Sequence, residues 1–245
     1  MNPLEKTKFI SNWIKTYVDQ MPNKAQSLVI GISGGIDSSV SSTLSAMTGI
    51  KTIVLTMPIR QKDNQHDLSL KHQEWLKKKF KNVEAHTINL DKLFDSFSSS
   101  LKGFDNEHGF ANSRARLRMT TLYQVAAANK GIVVGTGNKV EDFGVGFYTK
   151  YGDGGVDISP IADCNKTDVW ELGKELGILK EIIDAPPTDG LWDDGRTDEG
   201  QLGFKYEDLE DAMKNPNSTH RQEYEKIRKQ NLHKMEPIPV CKIPS

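Results

Sequence analysis

Cysteine is almost absent: 245 residues contain only Cys164 and Cys241, and no CxxC spacing. This argues against a disulfide framework and a cysteine-built zinc site. The six histidines form no HxxxH pair. An excess of either charge is missing too, because 32 Lys and Arg face 33 Asp and Glu, a net charge of -1. That balance speaks against nucleic acid or an anionic membrane as the bulk electrostatic partner. No apolar run approaches the ~18 residues of a membrane span. The first residues, MNPLEKTKFISNWIK, carry charges where a signal peptide needs an unbroken apolar core. The expectation is a cytoplasmic chain without a structural metal. With 36% hydrophobic and 27% charged residues it reads as globular rather than disordered. Its length suits one α/β domain, spanning residues 1–245.

What is present alternates between two patterns. Asn2, Pro3 and Glu5 have the cap, first-turn proline and capping-box acid of a helix start. Ile10, Trp13, Ile14, Tyr17, Val18 and Met21 then repeat along one helical face. Continuous apolar runs at 27–32 (SLVIGI), 51–57 (KTIVLTM) and 131–135 (GIVVG) predict strands buried on both faces, and 83–88 predicts a weaker one. Between them, helices are predicted at 40–47, 67–80, 90–101 and 112–129, and later ones near 168–176, 206–213 and 218–231. Strands and helices alternating in this way predict a doubly wound, open parallel β-sheet with helices on both faces. Beyond residue 143 the chain turns loop-rich.

Two loops follow predicted buried strands and carry chemistry. The first, SGGIDSS at 33–39, joins a strand to a helix. Backbone N–H groups and the helix dipole form an anion site there, and Gly34 and Gly35 admit phosphate oxygens to the backbone. It lacks the lysine of a Walker A loop, which disfavours simple γ-phosphoryl transfer. Asp37 would repel a phosphate unless a cation lay between them, and Mg²⁺ held by carboxylates and phosphates solves that problem. The second loop, GTGN at 135–138, is followed by Glu141. Should the first and fourth strands be neighbours at the point where strand order reverses, Asp37 and Glu141 would meet at one metal. A third segment, GFYTKYGDGGVD at 146–157, fits a substrate-binding loop. In the helix that carries Arg114, Arg116 and Arg118, the first and last share a face and Arg116 points elsewhere. The lysines at 77–81 end a helix, where they complement its dipole, and do not indicate nucleic acid.

SGGIDSS resembles the pyrophosphate loop of the N-type ATP pyrophosphatases. Together with RLRM (116–119), GTGNKVED (135–142), GFYTKYGDGGVD (146–157), PTDGLW (187–192) and TDEGQLG (197–203), it is similar to ammonia-dependent NAD synthetase over residues 5–240. The resemblance implies an adenine nucleotide alpha hydrolase-like fold and ATP-dependent amidation of nicotinic acid adenine dinucleotide (deamido-NAD). The products would be NAD, AMP and pyrophosphate, formed through an acyl-adenylate in the last step of NAD biosynthesis. It implies ATP contacts at Gly31, Ile32, Ser33, Gly34, Gly35, Ile36, Asp37, Ser38, Arg60, Thr136, Lys166 and Thr188. Mg²⁺ would lie at Asp37 and Glu141, with Asp37 and Lys166 catalytic. Deamido-NAD would meet Arg116, Lys150, Asp157, His233 and Lys234. A homodimer is implied, and the absence of an amidase domain points to free ammonia or a separate glutaminase. Between Glu141 and Lys150 the chain has one residue more than many members of that family. The alternatives are a GMP synthetase-like or tRNA-modifying adenylating enzyme, and a nucleotide-binding module without catalysis.

Overall fold

The computed structural model describes residues 1–60, 63–188 and 197–244, with residues 63–65 by their backbone alone. Four parallel strands, β1 (Ser27–Gly31), β2 (Lys51–Thr56), β3 (Val83–Thr87) and β4 (Gly131–Val133), form one sheet in the order β3-β2-β1-β4. β1 pairs with β2 from Ser27↔Lys51 to Gly31↔Leu55, and with β4 from Ser27↔Gly131 to Val29↔Val133. The chain therefore runs outward from β1 to β3 and returns to the other side of β1. That reversal opens a crevice at the carboxyl ends of β1 and β4, and it meets the condition set for the two loops, that the first and fourth strands be neighbours.

Successive residues of a strand point to opposite faces, and the core divides accordingly. Leu28, Ile30, Val54, Ile132 and Val134 pack on one side, and Val29, Ile53, Leu55 and Val133 on the other. The first side is covered by α2 (Ile36–Met47), α3 (Asp63–Lys79) and α6 (Lys166–Leu176), with α1 (Pro3–Gln20) against α2 and α6. The second is covered by α4 (Asp91–Ser100) and α5 (Glu107–Ala128). Asn2 closes the predicted capping box with Glu5. Two helices start before their apolar patterns do. Capped by Asn106, α5 starts at Glu107, five residues ahead of the predicted start at 112, and α2 begins at Ile36, directly after the glycine loop.

Small residues let α2 lie deep in the first layer. Ser42, Thr43 and Ser45 turn their hydroxyls onto carbonyls three or four residues back, so these three buried hydroxyls are bonded within the helix. A Cβ on Gly173 of α6 would stand 2.6 Å from Ile36 Cδ1, so glycine is what allows α6 to approach α2 this closely.

The later chain departs most from prediction. Residues Lys139–Val145 form a wide π-type turn in which the Gly146 N–H donates to the Glu141 carbonyl five residues earlier. Short helices α7 (Lys180–Ile183) and α8 (Asp198–Leu202) are also new. α9 (Tyr206–Lys214) and α10 (Arg221–Met235) bury Tyr206, Leu209, Ala212 and Tyr224 against Val140 and Val145 of the π-turn. Among the described residues no helix is long and apolar enough to cross a membrane.

His72 of α3 joins the layer at α2: Nε2 lies 3.0 Å from Ser42 Oγ, and the ring stacks on Trp75. Burial pushes its imidazole down to about 4. A histidine that stays neutral when folded stabilises the fold above its unfolded value near 6.5 and loses that contribution as pH falls toward 4. The expected cost over that window is about 3 kcal/mol. Urea unfolding at pH 7 and pH 4.5 should show this slope in the native protein. His72→Gln should flatten it, and an unchanged slope would locate the acid sensitivity elsewhere.

Candidate active site

The site begins where β1 ends. Gly34 adopts φ 91°, a left-handed turn that suits glycine. Ser38 Oγ accepts from the Ser33 N–H and donates to the Gly35 carbonyl, and the Gly35 N–H donates to Ser33 Oγ. The loop is thus held by its own serines. Gly35 caps α2 without a side-chain acceptor, which leaves the positive end of the helix facing a cavity of about 260 Å³. All of residues 31–38 line this cavity, as do Thr136, Glu141, Lys166 and Thr188.

Three distant segments meet in one ion cluster. Asp37 stands in the first turn of α2, Glu141 in the π-turn after β4, and Lys166 at the first position of α6. The Lys166 side chain is 1% exposed, and its Nζ lies 2.6 Å from Asp37 Oδ2 and 2.8 Å from Glu141 Oε1. Read from sequence without the resemblance, this lysine looks solvated; the tertiary structure buries it. Burial opposes its charge, but the two carboxylates outweigh that and raise its pKa. Burial raises Asp37, with Lys166 opposing and Glu141 adding to the shift. Burial also acts upward on Glu141, but Lys166 and the hydrogen bonds to it bring it below the usual carboxylate range.

The cluster is built by residues the motif reading passed over. Asn138 is fully buried; its amide donates to Asp37 Oδ1, and its carbonyl accepts from the Val140 and Glu141 N–H groups. An asparagine three residues before an acid is a helix-cap pattern that was readable in sequence. The Tyr206 hydroxyl donates to Glu141 Oε1, and no local signal announced it. Glu210 accepts from both the N–H and hydroxyl of Thr167, which secures the turn that presents Lys166. Asp168 accepts from the Asn165 N–H and pairs with Lys6 of α1.

Other expected residues lie elsewhere. Arg60 is not in the cavity wall: at φ 49° its N–H bonds Asp91 and its guanidinium pairs with Asp95. Arg116 is exposed as its helical position predicts, and donates to the Lys150 carbonyl. It is Arg118 that lines the cavity, with Nε on the Met57 carbonyl. Asp157 accepts from the Val133 N–H and the Tyr123 hydroxyl, which fastens the loop to β4 and α5. Lys150 donates to the His233 carbonyl, and Lys234 donates to the carbonyls of Gly146 and Tyr148. Four of the five expected dinucleotide contacts thus tie α5, the 146–153 loop and α10 together beside the cavity. Residues 189–192 of PTDGLW lie outside the described residues.

Asp37, Glu141, Asp142, Asp153 and Asp198 face only Lys166 and Arg118 in the described cavity wall. Burial first, then Asp153, Glu141 and Asp37, hold the Asp142 carboxyl well above the usual range. An anionic ligand with several phosphates needs added cations in such a site. Asp37 and Glu141 direct oxygens at one point, where the Lys166 ammonium lies; as hard oxygen donors they are also of the type that suits Mg²⁺. Among the described residues no group of three or more His, Cys, Asp or Glu could hold a metal ion.

A parallel sheet of this order, with a glycine-serine loop at its switch point and a carboxylate in the first turn of the following helix, defines a nucleotide-binding protein of the adenine nucleotide alpha hydrolase fold. The chain belongs to the NAD synthase family, whose model matches residues 6–243. It is 37% identical to the NH(3)-dependent NAD(+) synthetase of Carboxydothermus hydrogenoformans over 84% of this chain and 83% of that one. It is 36% identical to that of Finegoldia magna over 96% and 94%. Among solved structures it resembles NMN synthetase from Francisella tularensis, with TM-score 0.91, 32% identity, and 99% and 100% of the two chains covered. The fold is shared with NH3-dependent NAD synthetase from Campylobacter jejuni, with TM-score 0.79, 23% identity and the same coverage.

Lys166→Met would leave two buried carboxylates facing each other without a cation. Their folded pKa values would rise, so stability would fall as pH climbs above about 4.5 through those raised values. The expected loss is about 3–5 kcal/mol at pH 8, shrinking toward pH 5, by urea unfolding. An equal loss at both pH values would speak against the ion cluster.

Proposed function

We propose that this chain is an ammonia-dependent, amide-forming ligase that converts deamido-NAD and ATP to NAD, AMP and pyrophosphate. The observation that carries the reading is the Asp37–Lys166–Glu141 cluster, set at the end of a preformed phosphate cradle. A carboxylate resists nucleophiles, so the nicotinate oxygen first attacks the α-phosphorus. The bond from that phosphorus to the bridging oxygen breaks, and pyrophosphate leaves. The amides of the 33–38 loop and of α2 hold the departing phosphates, and Lys166 follows the negative charge that develops on them. Mg²⁺ held by Asp37 and Glu141 would supply the remaining positive charge. Ammonia then attacks the acyl carbon, the carbon–oxygen bond to AMP breaks, and the nitrogen gives up a proton to solvent. Burial pushes the Cys164 thiol up to about 11, the reverse of an activated nucleophile, which suits ammonia rather than glutamine as the direct donor. The reading extends to a cytoplasmic homodimer.

The likeness to Francisella NMN synthetase supports a second reading, in which the acceptor is the smaller nicotinic acid mononucleotide. Both acceptors present the same nicotinate carboxylate, so the chemistry above is common to them.

Pyrophosphate release with ATP, Mg²⁺ and ammonium should be measured for deamido-NAD, nicotinic acid mononucleotide and xanthosine monophosphate side by side. The expected result is turnover with deamido-NAD, with NAD and AMP formed in equal amounts. Preference for the mononucleotide would select the second reading, and turnover with xanthosine monophosphate alone would overturn both. Asp37→Asn should keep the fold while adenylation falls by about 100-fold or more. Unchanged adenylation in that variant would remove Asp37 from the mechanism.

A further inference from the structure

Tyr206 is the largest fully buried side chain among those described, at 1% exposure. Its ring packs edge-on against Trp170, and the Lys166 ammonium lies 4.9 Å from the ring centre. The hydroxyl donates to Glu141 Oε1, the same oxygen that accepts from Lys166, and lies 3.4 Å from Asp198 Oδ2. Burial and the neighbouring Glu141 keep the phenol protonated, so it remains a donor. One turn further along α9, Glu210 secures the first turn of α6. Two side chains of one short helix thus hold the partners of the ion cluster from behind.

This arrangement matters once a nucleotide enters. The Lys166 ammonium has three N–H donors, two of them engaged by the carboxylates; a phosphate that takes the third draws the ammonium away from Glu141. Glu141 would then keep two supports, the Asn138-capped backbone and the Tyr206 hydroxyl. Asn138 also reaches the carboxylate, but the Tyr206 hydroxyl is the support on Oε1, the oxygen that Lys166 shares. We propose that Tyr206 is a positioning residue, whose hydroxyl fixes the Glu141 carboxylate for the metal–nucleotide complex while Lys166 turns to the phosphates. The inference rests on the adenylation site proposed above. Supports of this kind behind a metal-binding carboxylate are worth roughly 10–100-fold in metal affinity.

The test is Tyr206→Phe, which keeps the packed ring and removes the hydroxyl. Mn²⁺ serves as the probe, with its binding read by electron paramagnetic resonance in the presence of α,β-methylene ATP, which is not cleaved between the α- and β-phosphates. The native protein should bind Mn²⁺ with this analogue, and Tyr206→Phe about tenfold more weakly. In turnover, the Mg²⁺ concentration for half-maximal rate should rise by a similar factor, with kcat at saturating Mg²⁺ within about threefold. Equal Mn²⁺ affinity in the two proteins would overturn the positioning role while leaving the adenylation site standing. Failure of the native protein to bind Mn²⁺ with the analogue would overturn the site itself. A lowered kcat with unchanged Mg²⁺ dependence would reduce Tyr206 to a packing residue. Should Tyr206→Phe fold poorly, a double-mutant cycle with Glu141→Gln decides: a smaller effect of Tyr206→Phe in the Glu141→Gln background supports the coupling, and additive losses overturn it.

Discussion

A single buried ammonium organises the functional end of this molecule. Lys166 has little exposed surface and would be destabilising there by itself, because desolvation penalises an isolated charge. Asp37 and Glu141 offset that penalty only if the three segments carrying them are held within hydrogen-bond reach. The constraint therefore spreads outward. Asn138 fixes both acids, Glu210 fixes the turn under Lys166, and the Lys6–Asp168 pair ties that same turn to α1. Cores from both ends of the chain converge on one charge.

The sheet order makes the convergence possible. Because β4 returns to the free side of β1, the loops after these two strands open into the same crevice. The small side chains of α2 and Gly173 of α6 allow close helix packing, and this brings the start of α6 to the same crevice. The π-turn then inserts Glu141 and Asp142 side by side into the cavity wall, which leaves that wall rich in acid. A site so charged accepts an anionic ligand only together with added cations.

A second set of contacts lies beside the first. Arg116, Lys150 and Lys234 all donate to main-chain carbonyls of the 146–153 loop or of α10. Each such bond is modest in free energy and open to exchange with a stronger acceptor such as a phosphate or carboxylate. These cations fasten the 146–153 loop to α5 and α10.

Much of the fold was legible in the residues. Continuous apolar runs announced three of the strands, Asn2 and Glu5 announced a capped helix, and SGGIDSS announced a glycine turn from strand to helix. Asp37 and Glu141 were singled out from sequence as well, the first for its unexpected charge and the second for its place after a glycine loop. Those signals are local, because strand burial, helix caps and glycine turns are set by neighbours a few residues apart. Local pattern did not distinguish Lys166 from a solvated lysine, or Tyr206 from a core aromatic. It also left Arg118, rather than Arg116, unrecognised as the arginine at the cavity. Burial of a charge and the choice of its partners depend on segments brought together by the β4 return and by helix packing. Sequence determined the parallel fold and the kind of chemistry; the tertiary structure decided which cation sits between the acids and which side chains hold it there.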